Sequence, residues 1–116
     1  MLIADDEPDM RALISHVLQA EAIDVVEVAT AEELLEQWRA LGPDVIVLDE
    51  RMPPSSGLDV AEEILAHQPG QLIFLFTAFV DAKIRAQAER VGITACVSKD
   101  QVFEIPALVR ARVTPE

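Results

Sequence analysis

The chain has 116 residues, enough for one domain core and too few for two. Apolar residues make up 51% of it, which excludes an intrinsically disordered chain. With 9 basic against 21 acidic residues, the net charge of −12 repels DNA and anionic lipid, so any contact with nucleic acid belongs to another domain.

The elements alternate along the chain. The first apolar run, "LIA" at 2–4, leads straight into Asp5-Asp6; this acidic start lacks the basic opening of a secretory signal. In "DMRALISHVLQAE", Met10, Leu13, Ile14, Val17 and Leu18 recur at helical spacing and predict one buried stripe. "VVEVA" (25–29) reads as a second strand. "TAEELLEQWRAL" (30–41) reads as a helix with Thr30 at its N-cap and Glu33 three residues on, the capping-box spacing.

"VIVL" (45–48) is a third, continuously apolar strand that runs into Asp49, and "GLDVAEEILAHQ" predicts a third helix after Gly57. "LIFLF" (72–76) precedes Thr77 and is part of the longest apolar stretch, still well short of the roughly 20 residues of a spanning helix. "DAKIRAQAERVG" then predicts a helix capped by Gly92. "ACVS" (95–98) is a fifth strand running into Lys99, and "PALVRARV" a short last helix with Pro106 in its first turn. A single cysteine, Cys96, excludes an intrachain disulfide and fits a reducing cytoplasm.

Five strands alternating with five helices predict a single doubly wound (βα)5 α/β domain with a parallel sheet covered on both faces. Strand order is not legible in periodicity. The order 2-1-3-4-5, flavodoxin-like, is a common solution and places a crevice at the carboxyl ends of the first and third strands. Asp5, Asp6, Asp49, Thr77 and Lys99 would all reach that edge. Clustered carboxylates need a cation, and Mg²⁺ accepts oxygen ligands while sharing a phosphate oxygen. Lys99 and Thr77 suit phosphoryl oxygens. The chemistry that uses all five groups is phosphoryl transfer onto a carboxylate.

"ADDEP" (4–8), "VIVLDERMP" with Gly57 eight residues after Asp49, "LFTA" (75–78) and "SK" (98–99) resemble the response-regulator receiver domain of two-component signalling across essentially the whole chain. The resemblance implies that Asp49 accepts phosphate from a sensor histidine kinase or phosphotransfer protein. It further implies that Asp5, Asp6, Asp49 and the Arg51 carbonyl hold Mg²⁺, and that Thr77 and Lys99 contact the phosphoryl group. Residues 1–116 would form the receiver; the family usually begins a few residues earlier, and both a shortened N-terminus and a following output domain in the native chain stay open as alternatives. Such a cytoplasmic signalling phosphoprotein is no enzyme beyond its own phosphorylation and dephosphorylation. Its partners would be the kinase, an output domain or partner protein, and in some cases a second copy, but not a membrane.

Two departures stand out. Cys96 occupies the position where the family carries a switch aromatic, and Asp100 follows the lysine where Pro is usual. Two other functions compete with this one. A degenerate receiver acting as a phosphorylation-independent interaction module is consistent with Cys96. A small Mg²⁺-dependent aspartyl phosphatase needs a second Asp two residues after the nucleophile, and position 51 is Arg. Among the remaining residues, Cys96 reads as core rather than redox sensor, Trp38 as helix packing, and His16 and His67 as structural or surface residues. Arg51 and Phe79 are placed at the crevice entrance.

Overall fold

The computed structural model describes residues 1–112. Its elements are β1 (Leu2–Ala4), α1 (Pro8–Gln19), β2 (Val26–Val28), α2 (Ala31–Leu41), β3 (Val45–Asp49), β4 (Arg51–Met52), β5 (Ser55–Ser56), α3 (Gly57–His67), β6 (Leu72–Thr77), α4 (Ala82–Val91), β7 (Ala95–Ser98) and α5 (Ile105–Arg112). A 3-10 turn, Lys99–Glu104, joins β7 to α5. Five strands pair in parallel in the order β2-β1-β3-β6-β7, which is the expected 2-1-3-4-5 once the small β4–β5 hairpin is set apart. That antiparallel pair, Arg51 with Ser56 and Met52 with Ser55, is absent from the periodicity reading, because two-residue strands carry no period. The last residues of the expected fifth helix and of the 1–116 domain, 113–116, lie outside the described residues.

Period-two alternation sends the strand side chains to two separate cores. One face carries Leu2, Ala4, Ile46, Leu48, Ile73 and Leu75 under Leu34 and Trp38 of α2, Val60 and Ile64 of α3, and Ala88 of α4. The other carries Ile3, Val45, Val47, Phe74, Phe76 and Val97 under Ile14, Val17 and Leu18 of α1, and Ile105 and Val109 of α5. All five residues of β3 are buried, as the central strand of a doubly covered sheet must be.

The helix ends follow local chemistry. Thr30 Oγ1 accepts from the Glu33 N–H at 3.1 Å, while Glu33 reaches back one residue further than a standard capping box, to the Ala29 N–H at 2.9 Å. Gly92 ends α4 at φ +99, a left-handed conformation that a side chain resists. Pro8 opens α1, with its missing N–H at a position that needs no partner. Trp38 is buried as packing, its indole Nε1 donating to Gln71 Oε1 at 3.2 Å; Gln71 Nε2 in turn bonds the Pro43 and Asp44 carbonyls. Among the described residues no helix is long and apolar enough to cross a membrane.

Candidate functional site

The carboxyl ends of β1, β3 and β7 bring the predicted charges together, and strand alternation explains which side they take. Asp5, Asp49 and Lys99 each lie two residues past a residue of the α1–α5 face, Ile3, Val47 and Val97 respectively. They therefore emerge on that same face at the sheet edge. Lys99 Nζ lies 3.4 Å from Asp49 Oδ1 and 3.7 Å from Asp5 Oδ2. Asp5 is 1% and Asp49 4% exposed, so both charges sit at the floor of the site. Asp6 is exposed above them, and carboxylate oxygens of Asp5, Asp6 and Asp49 all lie within 4.8 Å of one another.

Burial, above all, and then the Asp5 carboxylate push the Asp49 carboxyl from 3.8 up to about 6. The Lys99 ammonium and a hydrogen bond from the Arg51 backbone N–H pull in the opposite direction without cancelling the rise. Asp5 Oδ2 is buried without a hydrogen-bond partner. Two crowded carboxylates, one carrying an orphaned oxygen and the other destabilised as an anion, form with Asp6 an acidic cluster that could hold a metal ion.

The floor opens into a crevice of about 350 Å³ lined by Asp6, Glu7, Pro8, Asp49, Arg51 and Lys99. Arg51 is exposed, and its backbone is held by the hairpin pairing with Ser56. The chain then closes through a tight approach at Gly57: any Cβ there would collide with the Asp49 carbonyl oxygen, and the Gly57 N–H donates to the Glu50 carbonyl at 2.6 Å. Gly57 thus lets α3 start directly against the backbone of Asp49.

Thr77 stands outside this lining. It is half-buried at the end of β6, paired with Ser98, and two residues past Leu75 of the other face. Phe79 is 75% exposed beyond it, and Phe103 of the 3-10 turn is 74% exposed. Cys96 is half-buried against the α2–α4 core, where burial pushes its thiol up against the opposing Arg85 charge. His16 and His67 are exposed on their helices, away from the crevice.

Two supports of the site lie outside the residues expected there. The first is Arg11, whose Nη1 donates to the Asp5 carbonyl at 2.8 Å and whose Nε pairs with Glu27 at 3.4 Å. Its place on the polar side of α1 gave no signal apart from being the one arginine of that helix, which has no lysine. The second surrounds Lys99. Ser98 Oγ accepts from the Asp100 N–H at 3.3 Å, and Gln101 Oε1 accepts from the Ser98 N–H at 3.2 Å. That capping box was legible as Ser98 followed three residues later by Gln101.

A family model described as response regulator receiver domain matches residues 1–110. The chain is 30% identical over 116 residues to the transcriptional regulatory protein LnrK of Bacillus subtilis, covering 98% of this chain and 52% of that protein. It is 35% identical over 102 residues to a protein-glutamate methylesterase/protein-glutamine glutaminase of Rhizobium etli, covering 85% of this chain and 29% of that one. The chain thus spans about half or less of these curated relatives. The signal receiver domain of the response regulator NarL from Mycobacterium tuberculosis superposes with a TM-score of 0.90 at 28% identity, over 99% of this chain and 95% of that one.

Proposed function

The chain belongs to the response regulator receiver domain family of two-component signalling, and from that membership we propose that it is a phosphoryl-accepting switch with Asp49 as the acceptor. The observation that supports this most is the buried Asp49 carboxylate, 3.4 Å from Lys99 and beside a buried Asp5 oxygen that has no hydrogen-bond partner.

Asp5, Asp6, Asp49 and the Arg51 carbonyl would hold Mg²⁺. When bound, the ion supplies positive charge that offsets the crowded carboxylates and the phosphoryl oxygens. With its carboxyl at about 6, Asp49 is mostly ionised at neutral pH and presents a lone pair. A carboxylate oxygen attacks the phosphorus of a partner phosphohistidine; a P–O bond forms, the P–N bond breaks, and the imidazole nitrogen keeps the electron pair. Lys99 is close enough to transfer its pairing from the Asp49 anion to the new phosphoryl oxygens. Thr77, at the adjacent strand end, is assigned the remaining phosphoryl hydrogen bond and moves inward to make it.

Phosphorylation can switch the domain only by contacting one conformation better than the other. Cys96, where the family carries an aromatic, removes the usual ring rotation as the readout. The proposed partners are a sensor histidine kinase or phosphotransfer protein upstream and an output domain or partner protein downstream; self-association is a further proposal. Residues 1–116 would serve as the receiver unit of such a cytoplasmic protein, with no direct DNA contact at a charge of −12.

Incubation with Mg²⁺ and acetyl phosphate, followed by intact-mass spectrometry, tests the proposal. A hydroxylamine-labile phosphoryl adduct is expected on the wild type and is expected to vanish in Asp49→Asn. An adduct that persists in Asp49→Asn overturns the assignment of the acceptor. No adduct under any condition makes the chain an interaction module, and steady turnover of phosphate esters makes it a phosphatase.

A further inference from the structure

We propose that Arg11 is a positioning residue that holds Asp5 with its one free oxygen aimed at the cation; this rests on the reading of Asp5 as a metal ligand. Asp5 has four polar groups, and three are tied by three different parts of the fold. Its backbone N–H donates to the Val28 carbonyl at 3.2 Å. Its Oδ1 accepts from the Glu7 N–H at 2.9 Å. Its carbonyl accepts from Arg11 Nη1 at 2.8 Å. Oδ2 alone is left, buried and without a hydrogen-bond partner, facing Lys99 at 3.7 Å.

Arg11 is the only side chain among these ties. Ladder pairing of β1 with both neighbours ends at Ala4, so the peptide that follows is oriented by what its carbonyl meets. The guanidinium meets it with one edge while its Nε pairs with Glu27 on the edge strand β2. A planar fork can serve two partners at fixed angles, whereas an ammonium is a single point. Arg11 thereby joins α1, the end of β1 and the sheet edge around one peptide, and it is not itself one of the residues that line the crevice.

The direction of the effect separates this role from plain electrostatics. Arg11 is a cation close to a cation site, so removing its charge alone should tighten Mg²⁺ binding. A positioning role demands the reverse. Isothermal titration of Mg²⁺ into the wild type, Arg11→Met and Arg11→Lys, with thermal unfolding followed in parallel, reads the two apart. Binding weaker by about tenfold in Arg11→Met is expected, and Arg11→Lys should remain weaker than the wild type although its charge is unchanged. Equal or tighter binding in both variants overturns the proposal. Arg11→Lys, which keeps both stem and charge, decides the matter if Arg11→Met does not fold.

Amide hydrogen exchange gives a second readout that needs no metal. The Glu7 amide, which donates to Asp5, should exchange faster in both variants. If the wild type takes up no Mg²⁺, the metal-ligand reading of Asp5 fails on its own. Faster Glu7 exchange would still support Arg11 as the group that orients Asp5, and unchanged exchange would overturn it.

Discussion

Asp49 is the residue at which stability and chemistry oppose each other. Its carboxyl is raised from 3.8 to about 6 because burial and Asp5 outweigh the help from Lys99 and the Arg51 amide. The folded state therefore holds this proton more tightly than the unfolded chain does. The stability that comes with the proton is fully present below about pH 4 and is lost as pH rises through about 6. Above that, the ionised group burdens the metal-free fold by on the order of 3 kcal/mol. Asp49→Asn removes the charge and should stabilise the metal-free protein, with a larger gain at pH 7.5 than at pH 5. Urea denaturation in EDTA at both pH values measures this; an equal gain at both, or a loss at pH 7.5, would contradict the stated balance of burial and charge.

Among the elements, the turn after β7 does the least visible positioning. β7 is an edge strand, so β6 restrains Lys99 from one side only. The Ser98–Gln101 capping box holds the other side, where Asp100 stands in place of the usual proline. Gln101→Ala should slow labelling by acetyl phosphate severalfold, with a loss of about 1 kcal/mol in stability. Gln101→Glu, which can also complete the box, should restore the rate. Labelling at the wild-type rate in Gln101→Ala, alongside faster exchange of the Ser98 amide, would show that Lys99 needs no such support. At this scale the sequence was legible wherever a local rule governs: Thr30 and Glu33 at α2, Gly92 at α4, Pro8 at α1. It was silent on the β4–β5 hairpin, whose two-residue strands pair just before Gly57 packs against the Asp49 carbonyl. That is a contact between elements and has no local signature.

At the scale of the whole molecule, the proposed metal site would couple ion binding to folding. A cation bound at the carboxylates stabilises the folded state by mass action, by about 2.7 kcal/mol at a hundredfold excess over its Kd. Because binding needs Asp49 ionised, this stabilisation should be large at pH 7.5 and shrink as pH falls through about 6. Thermal unfolding with and without Mg²⁺ across that range checks it; a pH-independent increment would place the ion elsewhere.

The sequence by itself determined the alternation of strands and helices, the two-sided core and the identity of the charged residues at the strand ends, because periodicity and composition are properties of the chain alone. It also carried the family resemblance, since the four motifs keep their order along it. Only the tertiary structure decided the strand order, which depends on how separate βαβ units pack. It also decided that Asp5, Asp49 and Lys99 emerge on one face while Thr77 stands on the other, since strand register fixes that parity. Arg11 belongs to the same class: an arginine six residues from Asp5 becomes its support only when a helix turns the guanidinium back over the end of β1.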